Sequence, residues 1–156
     1  MAVILVDFDG TCIPTLPIGS RLDIYESDSE RVLKRLVNAG HKIVLWTVRN
    51  ESIQNPYNVV AKQFTGKSSL EEAVDWFVKR DIPLYGVNEV PNEVSNVGVS
   101  RKVLGDYLID DTAVGIPIKK VKIKNFSYFT DSYSIIETVQ VDWNKIEEYL
   151  EELELI

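Results

Sequence analysis

The chain has 156 residues, the usual size of one domain, and its 45% hydrophobic and 26% charged residues are ordinary for a globular protein. The formal net charge of −7 argues against broad binding to nucleic acid or to anionic membranes. One cysteine, Cys12, excludes a disulfide within these residues, the N-terminus has no secretory pattern and no apolar run has the length of a membrane span. We therefore expect a cytoplasmic protein with no membrane partner.

Hydrophobic patterns along the chain predict alternating strands and helices. In chain order they indicate a strand at 2–6, a helix at 28–38, a strand at 42–46, a helix at 69–80, strands at 82–87, 106–109 and 116–124, an edge strand at 138–141 and a helix at 143–153. This alternation is typical of an α/β fold with a mostly parallel sheet, here of about five strands. We expect a single domain over 1–156, with a core over 1–125 and a C-terminal extension with a helix over 126–156.

Capping signals mark where the predicted helices begin. The capping residues are Ser27 with Glu30, Ser68 with Glu71 or Ser69 with Glu72, and Asp142 before the last helix. Two segments lack a clear pattern. Residues 10–26 have the prolines and glycine of a loop, and residues 50–67 hold at most a short helix after Pro56.

The polar residues of most interest lie where the predicted strands end, because ligands bind at that edge of a parallel sheet. They are Asp7 and Asp9 after the first strand, Thr47 and Arg49 after the second, Lys102 shortly before the 106–109 strand, and Asp110 and Asp111 directly after it. These residues come from separated parts of the chain. The inferred fold predicts that they surround one crevice.

The acidic residues in this set point to a cation. Asp7 and Asp9 are two apart in extended chain, so their side chains point the same way and repel unless a cation lies between them. Asp110 and Asp111 add two further carboxylates, and such hard oxygen ligands suit Mg²⁺. Gly10 permits a tight turn after Asp9 and exposes backbone N–H groups to an anion.

The remaining candidates fit a phosphoryl group. Lys102 would neutralise a nucleophilic carboxylate and a bound phosphate. The Thr47 hydroxyl can donate a hydrogen bond to a phosphoryl oxygen. Arg49 is a candidate phosphate ligand, with an ordinary surface arginine as the alternative. Together with the carboxylates, these groups fit phosphoryl transfer through an aspartyl-phosphate.

Four short motifs resemble those of the haloacid dehalogenase-like (HAD) superfamily in order and spacing. They are DFDGT at 7–11, Thr47 after an apolar strand, Lys102, and IDD at 109–111. The resemblance extends to about residue 117, and stretches such as IVLWTVR look like those of small cap-less hydrolases of Bacteroides-like bacteria. It implies a three-layer Rossmann-like, HAD-like fold and a Mg²⁺-dependent phosphatase.

The resemblance also implies a role for each residue. Asp7 would be the nucleophile, and Asp9 would protonate the leaving group and then activate a water molecule. Thr47 and Lys102 would hold the phosphoryl oxygens. The metal ligands would be the Asp7 carboxylate, the Asp9 backbone carbonyl and one of Asp110 and Asp111, with Asp111 expected to coordinate directly and Asp110 to orient Lys102 or a metal-bound water. Substrate contacts are expected from Gly10, Thr11 and Arg49.

Cap modules in this superfamily enter after the first motif or after the third strand, and neither gap here is long enough to hold a folded cap domain. We therefore expect an open site without a cap domain, with 10–26 and 50–67 as candidate lids. The expected partner is a phosphorylated substrate, either a small molecule or the end of a macromolecule. Nucleic acid enters only as such a substrate, and a homo-oligomer is left open.

Other protein classes stay open as alternatives. Receiver domains also bring acidic residues, a threonine and a lysine to a Mg²⁺ crevice, but they carry the adjacent acidic pair after the first strand. Here that pair follows a later strand, which favours the hydrolase. The remaining alternative is a binding, regulatory or structural protein on the same fold with little or no turnover.

Three further features fit structural roles. Cys12 lies beside carboxylates that raise the pKa of a thiol, which argues against a nucleophile. Gly66-Lys67-Ser68 resembles the end of a phosphate-binding P-loop but lacks the preceding strand and the first glycine of that motif. His41 lies in a turn with no obvious partner and is expected at the surface.

Overall fold

The computed structural model describes residues 1–22, 25–52, 54, 56–91 and 103–156. The elements within these ranges are, in chain order, β1 (Val3–Val6), β2 (Ser20–Leu22), α1 (Asp28–Asn38), β3 (Lys42–Leu45), α2 (Pro56–Thr65), α3 (Ser69–Val78), β4 (Leu84–Val87), β5 (Tyr107–Ile109), β6 (Ile118–Ser127), β7 (Ser132–Val141) and α4 (Trp143–Glu152). None of the helices in this part of the chain has the length and apolar composition needed to cross a membrane.

The central sheet is parallel. Over the described residues its strand order is β4-β3-β1-β5, so β1 lies in the interior. Val6 at the end of β1 is in register with Leu45 of β3 and with Ile109 of β5. The three strands therefore end at the same edge of the sheet. This confirms the predicted α/β class and the mostly parallel sheet, but the predicted number of about five strands is wrong for the described sheet, which has four.

The predicted fifth strand belongs to a second, antiparallel sheet with the order β2-β6-β7 among the described residues. β6 and β7 form a hairpin whose register runs from Ile118↔Val141 to Ser127↔Ser132. The reason is visible in the sequence of β6, where lysines alternate with apolar residues as in a strand with one solvated face. The predicted edge strand at 138–141 is the end of the longer β7, and β2 lies within the segment predicted to be loop.

The helices agree closely with the predictions. α1 has the predicted bounds, α2 follows Pro56, and Ser68 forms the predicted capping box with Glu71 at the start of α3. Ser27 caps α1 by accepting a hydrogen bond from the Ser29 backbone N–H. Asp142 occupies the N-cap position of α4 without a side-chain capping bond.

The C-terminal segment is part of the main hydrophobic core. Three residues of α4 are at most 4% exposed and pack in the same cluster as the inward side chains of β1, β3 and α1: Trp143, Ile146 and Leu150. Burial of side chains of this size stabilises a fold by roughly 1.5–3 kcal/mol each. The sequence division at 125/126 lies inside β6.

His41 connects both ends of the chain, which corrects the expectation that it has no partner. Its Nδ1 accepts a hydrogen bond from the Ala2 backbone N–H at 3.0 Å. Its Nε2 lies 2.9 Å from the backbone carbonyl oxygen of Leu155 and donates to it. Both partners are distant along the chain, so no local sequence signal marks this interaction.

Candidate metal and phosphate site

Three carboxylates meet at the carboxyl edge of the parallel sheet. Asp7 follows β1, and its backbone N–H donates to the carbonyl of Ile109 at 2.9 Å, which extends the β1–β5 pairing beyond the strands. Asp110 and Asp111 follow β5. Each of the three aspartates offers one carboxylate oxygen, and these oxygens lie within 4.8 Å of one another. The structure thus brings together acidic residues that the sequence separates by about a hundred positions.

The environment of Asp7 disfavours its negative charge. Burial raises the pKa of Asp7 to about 7, hydrogen bonds from the Phe8 backbone and the Thr11 hydroxyl partly offset the rise, and the charges of Asp110 and Asp9 add to it. Burial and the neighbouring Asp110 also raise the pKa of Asp111. Carboxylates that repel one another in a partly buried crevice are relieved by a cation, and their hard oxygens suit Mg²⁺. The residues present therefore fit the predicted metal.

Thr11 joins the two acidic strand ends. Its hydroxyl donates to Asp7 Oδ2 at 3.1 Å and accepts from the Asp111 backbone N–H at 3.0 Å. The residue is fully buried. The side chain of Thr11 therefore positions the acidic groups. The substrate contact expected of Thr11 stays a prediction.

Gly10 is required by the shape of the turn after Asp9. Its φ of +79° is in the left-handed region that favours glycine, and an added Cβ would lie 2.4 Å from Asp111 Oδ2. The predicted tight turn is therefore confirmed. A side chain at this position would collide with the Asp111 carboxylate.

Arg49 is bound to Asp9. Its Nε donates to Asp9 Oδ2 and its Nη2 to Asp9 Oδ1, both at 2.7 Å. The guanidinium also donates to the Ser69 carbonyl at 3.1 Å and lies 4.7 Å from the centre of the Phe8 ring. The Arg49 side chain is only 17% exposed, so the surface alternative is wrong. The Asp9 carboxylate is not part of the group formed by the other aspartates.

Thr47 is held at the end of β3 by a residue that the sequence did not indicate. The Thr47 backbone N–H donates to Asn88 Oδ1 at 2.8 Å, and the Asn88 backbone N–H donates to the Leu45 carbonyl at 2.7 Å. Asn88 has a φ of +55°, which asparagine tolerates better than most residues. The Thr47 hydroxyl oxygen accepts a hydrogen bond from the Arg49 backbone N–H, so this bond does not use the hydroxyl proton of Thr47. Lys102 lies outside the described residues.

The C-terminal segment holds the turn that carries the first motif. Gln140 Nε2 lies 3.1 Å from the Thr11 carbonyl oxygen and 3.0 Å from that of Cys12, and donates to them. Trp143 Nε1 donates to the same Thr11 carbonyl at 2.8 Å, and the Val141 backbone N–H donates to the Gly10 carbonyl at 2.8 Å. Gln140 is 1% exposed. In the sequence Gln140 alternates with Val139 and Val141 and so falls on the polar face of the strand, which gives no signal of this role.

Cys12 has a structural place beside the site. It is fully buried, and its thiol donates to the Asp7 backbone carbonyl at 3.2 Å. Burial is the main cause that raises the pKa of the Cys12 thiol, with smaller contributions from the charges of Asp7 and Asp9. A thiol kept protonated is a poor nucleophile, as the sequence predicted.

A cavity of about 410 Å³ opens beside Asp9 and Arg49. Its walls come from the segment around β2, from α2 and α3, and from Tyr128 of the β6–β7 turn. Both candidate lid segments therefore contribute to the site. Tyr128 is stacked on Phe64 of α2 with ring centres 4.7 Å apart, so the antiparallel hairpin contacts α2 at the edge of this cavity.

The fold and the site define an α/β protein with an acidic centre at the carboxyl edge of a parallel sheet. No protein-family model matches the chain, and no curated protein matches it. A solved structure of a conserved protein from Bacteroides thetaiotaomicron is similar, with 30% sequence identity and a TM-score of 0.53, over 73% of this chain and 78% of that chain. The chain belongs to the same family as this conserved protein.

Proposed function

We propose that the protein is a Mg²⁺-dependent phosphomonoester hydrolase of the HAD type, with a three-layer HAD-like fold and no cap domain, acting in the cytoplasm. The observation that supports this most is the cluster of Asp7, Asp110 and Asp111, whose oxygens lie within 4.8 Å of one another. The raised pKa of Asp7 adds to it, because such perturbed groups are common at active sites. The motif order along the chain supports the hydrolase over a receiver domain.

In the proposed site Asp7, Asp110 and Asp111 hold the metal, together with the backbone carbonyl of Asp9. When bound there, Mg²⁺ would neutralise phosphoryl charge and favour attack at phosphorus. Thr11 and Gly10 set the positions of these ligands. Thr47, whose hydroxyl proton remains for a phosphoryl oxygen, and Lys102 are proposed to bind the phosphoryl group.

The proposed reaction has two steps. In the first, a carboxylate oxygen of Asp7 attacks phosphorus, the bond from phosphorus to the leaving oxygen breaks, and that oxygen takes a proton from Asp9. In the second, a water oxygen attacks the phosphorus of the aspartyl-phosphate and its proton passes to Asp9. The bond from phosphorus to Asp7 breaks, which releases inorganic phosphate and restores the Asp7 carboxylate.

The ion pair between Arg49 and Asp9 sets a condition for this reaction. Arg49 occupies both oxygens of Asp9, so it has to release at least one of them before that oxygen can carry a proton. A phosphate dianion is a stronger partner for a guanidinium than a single carboxylate. We propose that Arg49 turns from Asp9 towards the substrate phosphate when the ester binds.

The same ion pair favours the second candidate function, a binding or regulatory protein with little or no turnover. In that alternative Arg49 stays on Asp9 and no general acid is available. The acidic cluster would then bind a cation without hydrolysis. The two candidates differ in whether metal-dependent release of phosphate occurs.

Hydrolysis of p-nitrophenyl phosphate tests the proposal. We expect Mg²⁺-dependent release of nitrophenol, and a loss of at least about 10³-fold in Asp7→Asn because the nucleophile is removed. Asp131→Asn, the same change in an exposed turn, is the control and should retain wild-type activity. Absence of metal-dependent release from a broad panel of phosphate esters would favour the binding protein instead.

A further inference from the structure

We propose that the cavity beside Asp9 binds the leaving group of the phosphate ester and selects a compact, largely apolar alcohol such as a phenol over a sugar. This inference rests on the proposed function, because it assigns a leaving group to the reaction at Asp7. It goes further by naming the class of substrate, which neither the motifs nor the similar structure indicates.

The position of the cavity supports this assignment. Asp9, the proposed proton donor to the leaving oxygen, lines the cavity together with Arg49. Asp7, Asp110 and Asp111 are not among its lining residues. The phosphoryl group would therefore lie on the acidic side of Asp9, and the rest of the ester would extend into the cavity.

The walls of the cavity are mainly apolar. They include side chains from three parts of the chain: Ile13, Leu16, Ile18, Val60, Ala61 and Trp76. A volume of about 410 Å³ lies in the range of small-molecule sites and accommodates a single substituted ring. Apolar walls favour a leaving group that gains from removal from water.

Polar side chains at the cavity are largely engaged within the protein. Glu72 accepts from the Thr65 hydroxyl at 2.8 Å and lies 3.6 Å from Arg49. The Ser69 hydroxyl lies 2.6 Å from Asn58 Oδ1 and donates to it. The hydroxyl groups of a sugar buried here would lose their hydrogen bonds to water and gain only apolar contacts, which costs free energy.

The outer wall is fixed by aromatic contacts. Tyr128 lines the cavity and stacks on Phe64, while Phe129 is packed so closely on Gly19 that an added Cβ would lie 2.2 Å from its ring. Gly19 has a φ of +74°. These contacts connect the β6–β7 turn to the segment around β2 and to α2, which form two of the other walls, so the cavity is built by tertiary packing.

Three substrates and one matched pair of variants test the proposal. Phenyl phosphate would place an apolar ring in the cavity, glucose 6-phosphate a ring that carries hydroxyl groups, and acetyl phosphate only a two-carbon acyl group. We expect kcat/KM for phenyl phosphate to exceed that for glucose 6-phosphate at least about tenfold. Val60→Phe, which narrows the cavity, should lower kcat/KM for phenyl phosphate at least about tenfold. The kcat/KM for acetyl phosphate should stay as in the wild type.

Val59→Phe is the control, because Val59 is the neighbouring residue of α2 and is 53% exposed. It should leave kcat/KM unchanged for all three substrates. Equal or better hydrolysis of glucose 6-phosphate, or a Val60→Phe variant that treats phenyl and acetyl phosphate alike, would overturn the cavity assignment while the phosphatase proposal stands.

A binding measurement separates the two proposals if no ester is hydrolysed. Phenylphosphonate should bind the Mg²⁺-loaded protein at least about tenfold more tightly than methylphosphonate, and Val60→Phe should abolish the difference. That result would keep the cavity assignment for a binding protein although the phosphatase proposal fails. Equal binding of the two phosphonates would overturn the cavity assignment.

Discussion

The acidic edge of the parallel sheet and the C-terminal segment over 118–156 contribute to the same site in different ways. The acidic edge supplies Asp7, Asp110 and Asp111, which carry a motif that can be read along the chain. The C-terminal segment carries no such motif, yet Gln140 and Trp143 donate hydrogen bonds to the Thr11 carbonyl, in the turn that follows Asp9. The residues proposed to react lie in motifs that can be recognised in the sequence. The residues that position them lie in weak motifs or in none.

This difference predicts two kinds of variant. A change at the acidic edge should remove metal binding and activity with little loss of stability, because the side chains there repel one another. A change in the C-terminal segment should lower the free energy of unfolding. Activity should fall as a consequence, because the turn that carries the first motif shifts. Five substitutions separate these outcomes.

After the loss of the nucleophile in Asp7→Asn, Asp111→Asn is expected to have the largest effect on activity. It removes a charged ligand, so kcat/KM with p-nitrophenyl phosphate should fall by about 10²–10³-fold and more Mg²⁺ should be needed for half-maximal activity. Asp110→Asn should cost less, because one oxygen of Asp110 is engaged by the Thr112 backbone and hydroxyl. A larger loss in Asp110→Asn would reverse the expected order of the two ligands.

Gln140→Leu should lower the free energy of unfolding by about 2–4 kcal/mol, because buried carbonyl groups at Thr11 and Cys12 lose a donor. The shifted turn should reduce kcat/KM by roughly tenfold. Urea unfolding and turnover measure the two effects. Glu137→Leu, on an exposed position of the same strand, is the control and should change neither. A stable Gln140→Leu variant would show that the C-terminal segment does not position the turn.

Asp7→Asn should stabilise the metal-free protein at pH 8. The pKa of Asp7 in the folded protein, about 7, lies above the unfolded value near 3.8, so the folded state binds the proton more tightly. The stability that this proton provides is complete below the unfolded pKa and is lost as the pH rises to 7. Relative to wild type, the variant should therefore gain on the order of 2 kcal/mol at pH 8 and progressively less towards pH 4.

Urea unfolding at several pH values, with and without Mg²⁺, measures this difference. Mg²⁺ should reduce the gap because it stabilises the wild type more than the variant. A gap that widens towards low pH would contradict the raised pKa of Asp7. A gap that Mg²⁺ leaves unchanged would contradict the assignment of Asp7 as a metal ligand.

Trp143→Phe should have the smallest effect, about 1 kcal/mol in the free energy of unfolding. The ring still fills most of its buried position, and Gln140 still donates to the Thr11 carbonyl. Tyr149→Phe, on an exposed position of the same helix, is the control. A loss as large as that of Gln140→Leu would mean that the indole donor dominates in holding the turn.

The sequence predicted the parts of the fold that depend on local pattern. The apolar strand before Asp7 and the capping box at Ser68 were found correctly, because periodicity and capping are set by near neighbours. The strand at 116–124 was found as a strand but placed in the wrong sheet. Its alternating lysines indicated a half-solvated antiparallel strand, and the position of β6 in chain order outweighed that signal.

The candidate site was predicted as a set of residues but not as a set of contacts. The strand ends gave Asp7, Asp110 and Asp111 together, because parallel strands end at one edge. The pairing of Arg49 with Asp9 was missed, since it depends on how the chain turns after β3. The contacts of Gln140 with the first motif connect residues more than a hundred positions apart, and no local pattern encodes such a contact.

The hydrogen bonds from Gln140 and Trp143 also determine the smallest part of this chain that can be expected to fold. A chain that ended at residue 125 would lose both donors to the Thr11 carbonyl and would expose the face of α1 that packs against α4. The motifs all lie before that point. A truncation chosen to retain every motif would therefore remove the residues that hold the first motif in shape.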